Sequence, residues 1–509
     1  MLHNDFCLKV DISSNEIVTD ILKDENSVFK KGTITIAKTG VIFNKEGKIL
    51  SDNEIIQLYK SFGIGVTEIF DGLYNLVVVD RKIEKAFIFH DYFCSESRVY
   101  YTSDGEEIFI SSSIKNIIRF TPEVEWYIDN VSVEEFIDNG YIDENKTMIL
   151  DIYKTSFKKY TEFNLKTGYI AERNCSSITF DKRTKVDSSK YDRIFDSAVV
   201  NCIKGNYAVD FMGDYNSTYI LHHAKLNSPK KIKAYSATLS ETRKNKLAAI
   251  CDEIKNIDLK IGKIEPDILN YLPIIVYACE ATAFDEDAFK EIVLAKLLKK
   301  DNVEAVVSSN GADGVFDNSF YNDFDKIKKS ASIIAGLFKN GNQKKATDNN
   351  ISCDTLVNIK LAQAGMIMNH YGISYLNPYM NRKFVQAVYK TMNPVKSKQF
   401  HNNTIKENVS QNATAVAAEK TLKFDVLSLF SESMDSKAIS SIAKKSAYWS
   451  KFKRKHTDSR TRALYCLRII YVEIFKIIFL GKNSDKLLSS KNFNYSLKAF
   501  FPKYFSKED

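Results

Sequence analysis

The chain has 509 residues, more than one ordinary hydrophobic core accommodates, and is read as two domains. Hydrophobic residues make up 44% of it and aromatics 12%, which excludes a largely disordered protein. The net charge of +8 is spread through lysine-rich stretches such as KKIK and KFKRK rather than gathered into one patch, so no nucleic-acid partner is assigned.

The amino-terminal stretch MLHNDFCLKV carries Asp5 and no apolar run of signal-peptide length, so export is not expected. The eight cysteines are scattered, with no CxxC pair and no close Cys/His spacing. That fits reduced thiols in a cytoplasmic protein. From Gly32 to about Ile117 short apolar or alternating runs (TITIA, GVIF, YNLVVVD, KAFIFH, RVYYTS, EIFISSS) are punctuated by Gly and Asp, the texture of an antiparallel β-rich unit. Ile152 to Asn174 reads as a hairpin turning at Lys166 to Gly168, and the first domain is placed at residues 1–185.

Beyond residue 190 helix and strand alternate: YDRIFDSAVVNCI, YAVDFM, STYILHHAKL, KIKAYSATL. Such alternation predicts a parallel α/β sheet. A long helical region follows from Pro266 to Lys300, then a buried strand and glycine turn in VEAVVSSNGADGVFDNSFY, and mostly helices past residue 325. Near the end, YCLRIIYVEIFKIIFLG is strongly apolar, but Arg468, Glu473 and Lys476 interrupt it short of a membrane span. It is expected as a buried or interfacial helix, with no transmembrane segment. The second domain is placed at residues 186–509.

The turn of VDFMGDYNST lies between a strand and a helix, the place in a parallel sheet where free amide groups converge on ligands. His222 and His223 sit in the following helix and are expected on its surface or satisfied in a core. Tyr100 and Tyr101 are expected to pack or pair across strands, and Ser111 to Ser113 has no His/Asp company that would make a triad.

Four motifs in order resemble the asparagine synthetase family, which includes β-lactam synthetases and lasso-peptide cyclases. FDGLYNLVVVD with FIFHDYFCSESRVYYTSDGEEIFISSSIKNI resembles its glutaminase-like domain. VDFMGDYNSTYI occupies the place of the LSGG.DSS pyrophosphate loop. VEAVVSSNGADGVFDNSFY is similar to vvLsG.GaDElFgGY, and ISYLNPYMNRKFVQAVYKTMNP to vrvPFLD...ve.a..lP. The resemblance covers nearly the whole chain. It implies an N-terminal Ntn-hydrolase-like domain followed by an α/β PP-loop domain with a helical C-terminal part.

The resemblance further implies adenylation of a carboxylate by ATP with Mg2+, then attack by an amine to form an amide. Around pyrophosphate it places Met212, Gly213, Asp214, Asn216, Ser217, Gly311 and Asp313, with Asp214 and Asp313 as the metal ligands. Three of these depart from the family pattern: Met212 stands for a Ser, Asp214 for a Gly, and Asn216 for the magnesium-binding Asp. A carboxylate about 4 Å from a phosphate oxygen repels it by roughly 1 kcal/mol in water and about 4 kcal/mol at an effective dielectric of 20, so Asp214 must bind metal or oppose phosphate. Gly314 replaces the Glu after Asp313. Asn310 stands where synthetases carry an acidic proton acceptor, a duty an amide cannot perform at neutral pH. Lys406, Lys420 and Lys423 fall where the family supplies lysines to phosphates or to the intermediate, so Asn310, Lys406 and Lys423 are the candidate catalytic positions.

The family's glutaminase uses an N-terminal Cys whose own amine is the base. Here Met1 precedes Leu2, Cys7 would serve only after removal of six residues, and no NGE.YN segment is found. Glutamine-derived ammonia is therefore not the expected nucleophile. Two readings follow: a divergent amide synthetase of the lasso-cyclase type acting on a peptide or small-molecule carboxylate, or an inactive relative that binds a peptide or partner subunit. A nucleotide-binding regulator is a third.

Overall fold

The computed structural model describes residues 5–13, 17–24, 26–91, 98–142, 145–156, 159–175, 186–238, 241–280, 283–316, 361–391, 394–418, 436–452, 459–490 and 493–504. The expected domain junction near residue 185 lies outside them, as does the stretch from 317 to 360.

Up to residue 175 the chain lays down β1 (Phe6–Asp11), β2 (Val18–Asp24), β3 (Val28–Lys31), β4 (Ile34–Phe43), β5 (Asp71–Asp80), β6 (Lys85–His90), β7 (Tyr100–Ser103), β8 (Glu107–Ser111), β9 (Tyr153–Lys154), β10 (Lys159–Asn164) and β11 (Ile170–Asn174). They pair antiparallel into two sheets, ordered β2-β1-β8-β7-β9 and β11-β10-β6-β5-β4-β3. The run LYNLVVVD of β5 shows why they stack. It is buried along its length because it meets a core on each face. Leu76 and Val78 pack with Ile55, Ile56 and Tyr59 of α1 (Asp52–Phe62), while Val77 and Val79 meet Leu8, Val10 and Ile110 of the other sheet. Each such side chain contributes about 1.5–3 kcal/mol when fully buried. The capping box of Ser51 and Glu54 starts α1 by satisfying two of its free amides.

The expected hairpin forms between β10 and β11, its turn tied by Asn164 Oδ1, which accepts from the Lys166 and Thr167 amides. Tyr153 and Lys154, expected in the same hairpin, instead pair with Tyr101 and Tyr100 in the other sheet. Helices α2 (Ile114–Phe120) and α3 (Asn130–Asn139) lead on toward the second half.

There α4 (Ser188–Cys202), β12 (Tyr207–Asp210), α5 (Tyr215–Leu226), β13 (Ile232–Thr238), α6 (Glu241–Ile254), β14 (Ile257–Lys263), α7 (Leu272–Cys279), α8 (Asp287–Lys300), β15 (Ala305–Val307), α9 (Ala312–Phe316), α10 (Ala362–His370) and β16 (Ser374–Leu376) follow. The strands make one parallel sheet in the order β14-β13-β12-β15-β16. β14 was not foreseen in the sequence, although IDLKIGK alternates apolar residues with Asp258, Lys260 and Gly262. The helical region from Pro266 to Lys300 is not continuous. Glu280 closes α7 in a left-handed conformation (φ 49°), its carboxylate accepting from the Ile114 amide at 2.8 Å. Helices α11 (Arg382–Thr391), α12 (Pro394–Asn408), α13 (Gln411–Ala418), α14 (Ser436–Lys445) and α15 (Ser459–Leu480) form most of the helical part.

The apolar segment near the C-terminus is the 22-residue α15. Leu467, Ile469, Ile470, Tyr471, Val472, Ile474 and Phe475 are all buried, so it is a core helix on most of its circumference. Among the described residues no helix is long and apolar enough to cross a membrane.

Candidate active site

In the parallel sheet β12 is central: the chain goes on through β13 and β14 on one side, then returns to place β15 and β16 on the other. The crevice beyond the carboxyl ends of β12 and β15 is thus a topological switch point, where sheets of this kind bind ligands. Both motif loops open there. They are tied together by Ser308, whose hydroxyl donates to Asp210 Oδ2 at 3.0 Å.

The first loop is knotted around Ser217. Its Oγ accepts from the Met212 and Asp214 amides at 3.2 and 3.3 Å and lies 2.7 Å from Asp214 Oδ1, which also accepts from the Ser217 amide at 2.8 Å. Asp214 is therefore the N-cap of α5, and its carboxylate faces the helix start. Burial raises its pKa, Ser217 opposes the rise, and Asp313 and Asp210 add to it. Gly213 carries the turn at φ 71°, and a Cβ there would lie 2.6 Å from Leu247 Cδ2.

Asn216 turns away from the crevice. Its Oδ1 lies 3.1 Å from His401 Nε2, and its carbonyl accepts from the Tyr379 hydroxyl at 3.0 Å. His401 lies 3.0 Å from the Tyr191 hydroxyl through Nδ1 and stacks on Phe316 at 4.4 Å. Burial pushes its pKa down to about 3, with Lys398 a lesser cause. The unfolded ring takes up a proton near pH 6.5 that the folded one resists. Stability is therefore greatest above that pH and is lost as pH falls toward about 3. His222 and His370, each held near 4 mainly by burial, slope the same way. Melting scans from pH 7 to 4 should show this loss, and His401→Gln should shrink it by about 1.4 kcal/mol or more, since a tenfold difference in proton affinity is worth about that much. An identical slope in the variant would remove His401 from the account.

In the second loop Asn310 Nδ2 donates to Glu291 Oε1 at 3.1 Å, and Asn377 Nδ2 donates to the Asn310 carbonyl at 2.7 Å. Gly311 turns the chain into α9. Asp313, in the first turn of α9, is mostly exposed and lies 3.5 Å from Lys398 Nζ. Lys406 is exposed in the last turn of α12. Lys420 and Lys423 lie outside the described residues. Cys7 is buried in β1, and burial pushes its thiol up to about 12.

Four charged residues at the crevice were missed in the sequence: Asp210, Arg243, Lys290 and Glu291. Lys290 and Glu291 are buried side by side on α8, 3.3 Å apart. Lys290 Nζ lies 3.8 Å from Met212 Sδ, and Arg243 Nη2 donates to the Met212 carbonyl at 3.3 Å. Burial raises the Glu291 carboxyl above its usual range against the pull of Lys290, and Glu291 Oε2 is buried with no hydrogen-bond partner. A signal existed: in DAFKEIVLAKLLKK, Glu291 is in phase with Leu294, Ala295 and Leu298 on the buried face.

Fold and crevice together define a parallel-sheet α/β protein, with two loops meeting at the switch point of its sheet, joined to an antiparallel two-sheet domain. Residues 34–172 match the glutamine amidotransferase domain family and residues 213–350 the asparagine synthase family. The chain belongs to the asparagine synthetase family. It is similar to the microcin J25-processing protein McjC of Escherichia coli, 25% identical over 211 residues, which are 40% of this chain and 38% of that protein. It is also similar to a candidate glutamine-hydrolyzing asparagine synthetase of Methanocaldococcus jannaschii, 31% identical over 130 residues, 24% of this chain and 23% of that one. Each match thus spans less than half the length of the relative. The asparagine synthetase domain family generally uses ATP with Mg2+.

Proposed function

We propose that this protein forms an amide bond at the expense of ATP, joining a carboxylate and an amine of one peptide, without glutamine as nitrogen donor. The observation that carries the reading is the convergence of both motif loops on the switch point between β12 and β15, joined by the Ser308–Asp210 hydrogen bond. A peptide substrate is favoured by the similarity to a microcin-processing protein. The burial and raised pKa of Cys7 support a nitrogen source other than glutamine.

ATP supplies the phosphoanhydride that activates the carboxylate. In the chain itself, Ser217 fixes the loop by gathering two of its amides, and Gly213 keeps side-chain bulk out of the turn. When the amine attacks, its proton must leave. Asn310 cannot take it, but Glu291, bonded to Asn310 and held at raised pKa, is a proton acceptor suited to neutral pH. A second reading, an inactive relative that holds a peptide or partner subunit, draws on the commitment of Asp214 to capping and of Asn216 to His401.

Titration calorimetry separates the two. ATP should bind in the micromolar range, and Ser217→Ala should weaken it about tenfold, the effect of losing roughly 1.4 kcal/mol of loop order. Absence of ATP binding at millimolar concentration would leave the second reading.

A further inference from the structure

We infer that the charge of bound phosphate is met in this protein by two built-in cations, Lys290 and Arg243, in place of a carboxylate-held magnesium ion. The inference rests on the phosphate-site reading above and concerns how that site is charged.

Magnesium asks for near-octahedral oxygen ligands, usually one or two carboxylates plus phosphate and water. The donor set here does not fit that demand. Asp214 Oδ1 accepts from both the amide and the hydroxyl of Ser217. Asn216 offers an amide and directs it at His401. Asp313 is mostly exposed, with Lys398 beside it.

Two cations reach the loop directly. In a parallel sheet the helix after a strand begins at the carboxyl edge, as α6 does after β13, and the helix that leads into a strand comes from that edge, as α8 does before β15. Each contributes a basic residue from its first turns. Arg243 reaches the Met212 carbonyl and Lys290 the Met212 sulfur, so the two clasp the same residue of the phosphate loop.

A buried lysine requires compensation. The charges facing Lys290 are Glu291 and Asp287 on α8, Asp210 on β12 and Arg243 on α6. Lys290 keeps its proton in that company, the neighbouring carboxylates outweighing its burial. Of these charges, Lys290 and Arg243 are the two that contact the loop, both at Met212. Met212, in place of a hydroxyl residue, gives the ammonium a soft neighbour that yields to an anion more readily than a fixed acceptor would.

The test uses inorganic pyrophosphate and ATP as probes, titrated into the full chain in excess EDTA and again in magnesium. Both should bind in EDTA with Kd values within about threefold of those in magnesium. Lys290→Met should weaken pyrophosphate binding in EDTA by about 10- to 100-fold, and Lys290→Arg should restore most of it. Because Lys290 is buried, Arg243→Gln, at a half-exposed position, serves as the second variant and should weaken binding about fivefold. Binding only in magnesium would overturn the inference and leave the phosphate site standing. Binding in neither would overturn both. Unchanged affinity in folded Lys290→Met and Arg243→Gln proteins would remove these two residues as the cations.

Discussion

Replacing Arg468 by Met should destabilise the protein by roughly 3–5 kcal/mol and lower its melting midpoint by about 10 °C. Arg468 projects from α15 into the first half of the molecule, only 6% exposed. Its Nη1 donates to the carbonyls of Ile137 at 3.1 Å and Asp138 at 2.7 Å, and Nη2 donates to that of Asn139 at 3.2 Å. These are carbonyls at the end of α3, which have no partner within the helix. Burial brings the guanidinium down to about 10, so it stays charged at neutral pH.

Methionine fills much of the volume but donates nothing, leaving three buried acceptors to pay about 1–3 kcal/mol each, in part relieved by water. The contact is specific. Gly140, left-handed at φ 83°, sits where a Cβ would come within 2.6 Å of Arg468 Nη2 and of the Phe284 carbonyl. Tyr471 of α15 packs against Phe136 and Phe284 at 5.0 and 5.2 Å, and the Tyr465 hydroxyl donates to Asp138. Arg468→Lys should recover part of the loss, since one ammonium reaches fewer carbonyls than a planar fork. A melting midpoint within about 2 °C of the parent for Arg468→Met would mean that these bonds do not hold α15 to α3.

The sequence made the layers legible because their signals are local. Apolar alternation marked the antiparallel strands, strand–helix alternation marked the parallel sheet, and the loop after β12 announced itself through Gly213 and Ser217. The interruption of the C-terminal apolar run by Arg468 was read correctly as incompatible with a span. Its partners were not legible, since they lie 329 to 331 residues away.

The candidate site was legible only in its backbone. Loop positions follow from topology, but what a side chain faces depends on contacts distant in sequence. Asp214 reads in the sequence as a metal ligand or an obstacle to phosphate, and its capping of α5 adds a role the resemblance did not carry. Asn216 reads as a lost metal ligand, but the feature that engages it, His401, is 185 residues away. Lys290 and Glu291 went unremarked within the helical region, although Glu291 shares the phase of Leu294, Ala295 and Leu298.

Asn216→Asp, which places the family's usual residue at that position, should therefore damage the protein rather than equip it. Asn216 is 9% exposed, so at pH 8 the new carboxylate would be a buried charge beside a neutral imidazole. An uncompensated buried charge costs about 3–5 kcal/mol. Burial raises the pKa of such an acid above its unfolded value. The sign follows: the penalty is full above the raised folded pKa and fades as pH falls through it. The melting deficit relative to the parent, compared at equal pH, should be largest at pH 8 and smaller near pH 5. His401 can relieve it by protonating to pair with the new carboxylate, so combining Asn216→Asp with His401→Gln should enlarge the deficit at pH 6. Nucleotide affinity should gain no dependence on magnesium in either variant, because the side chain at 216 meets His401, which Tyr191, Tyr379 and Phe316 surround. An Asn216→Asp protein that melts like the parent and binds ATP more tightly with magnesium would show that position 216 faces the ligand, and would return the site to a metal-borne charge.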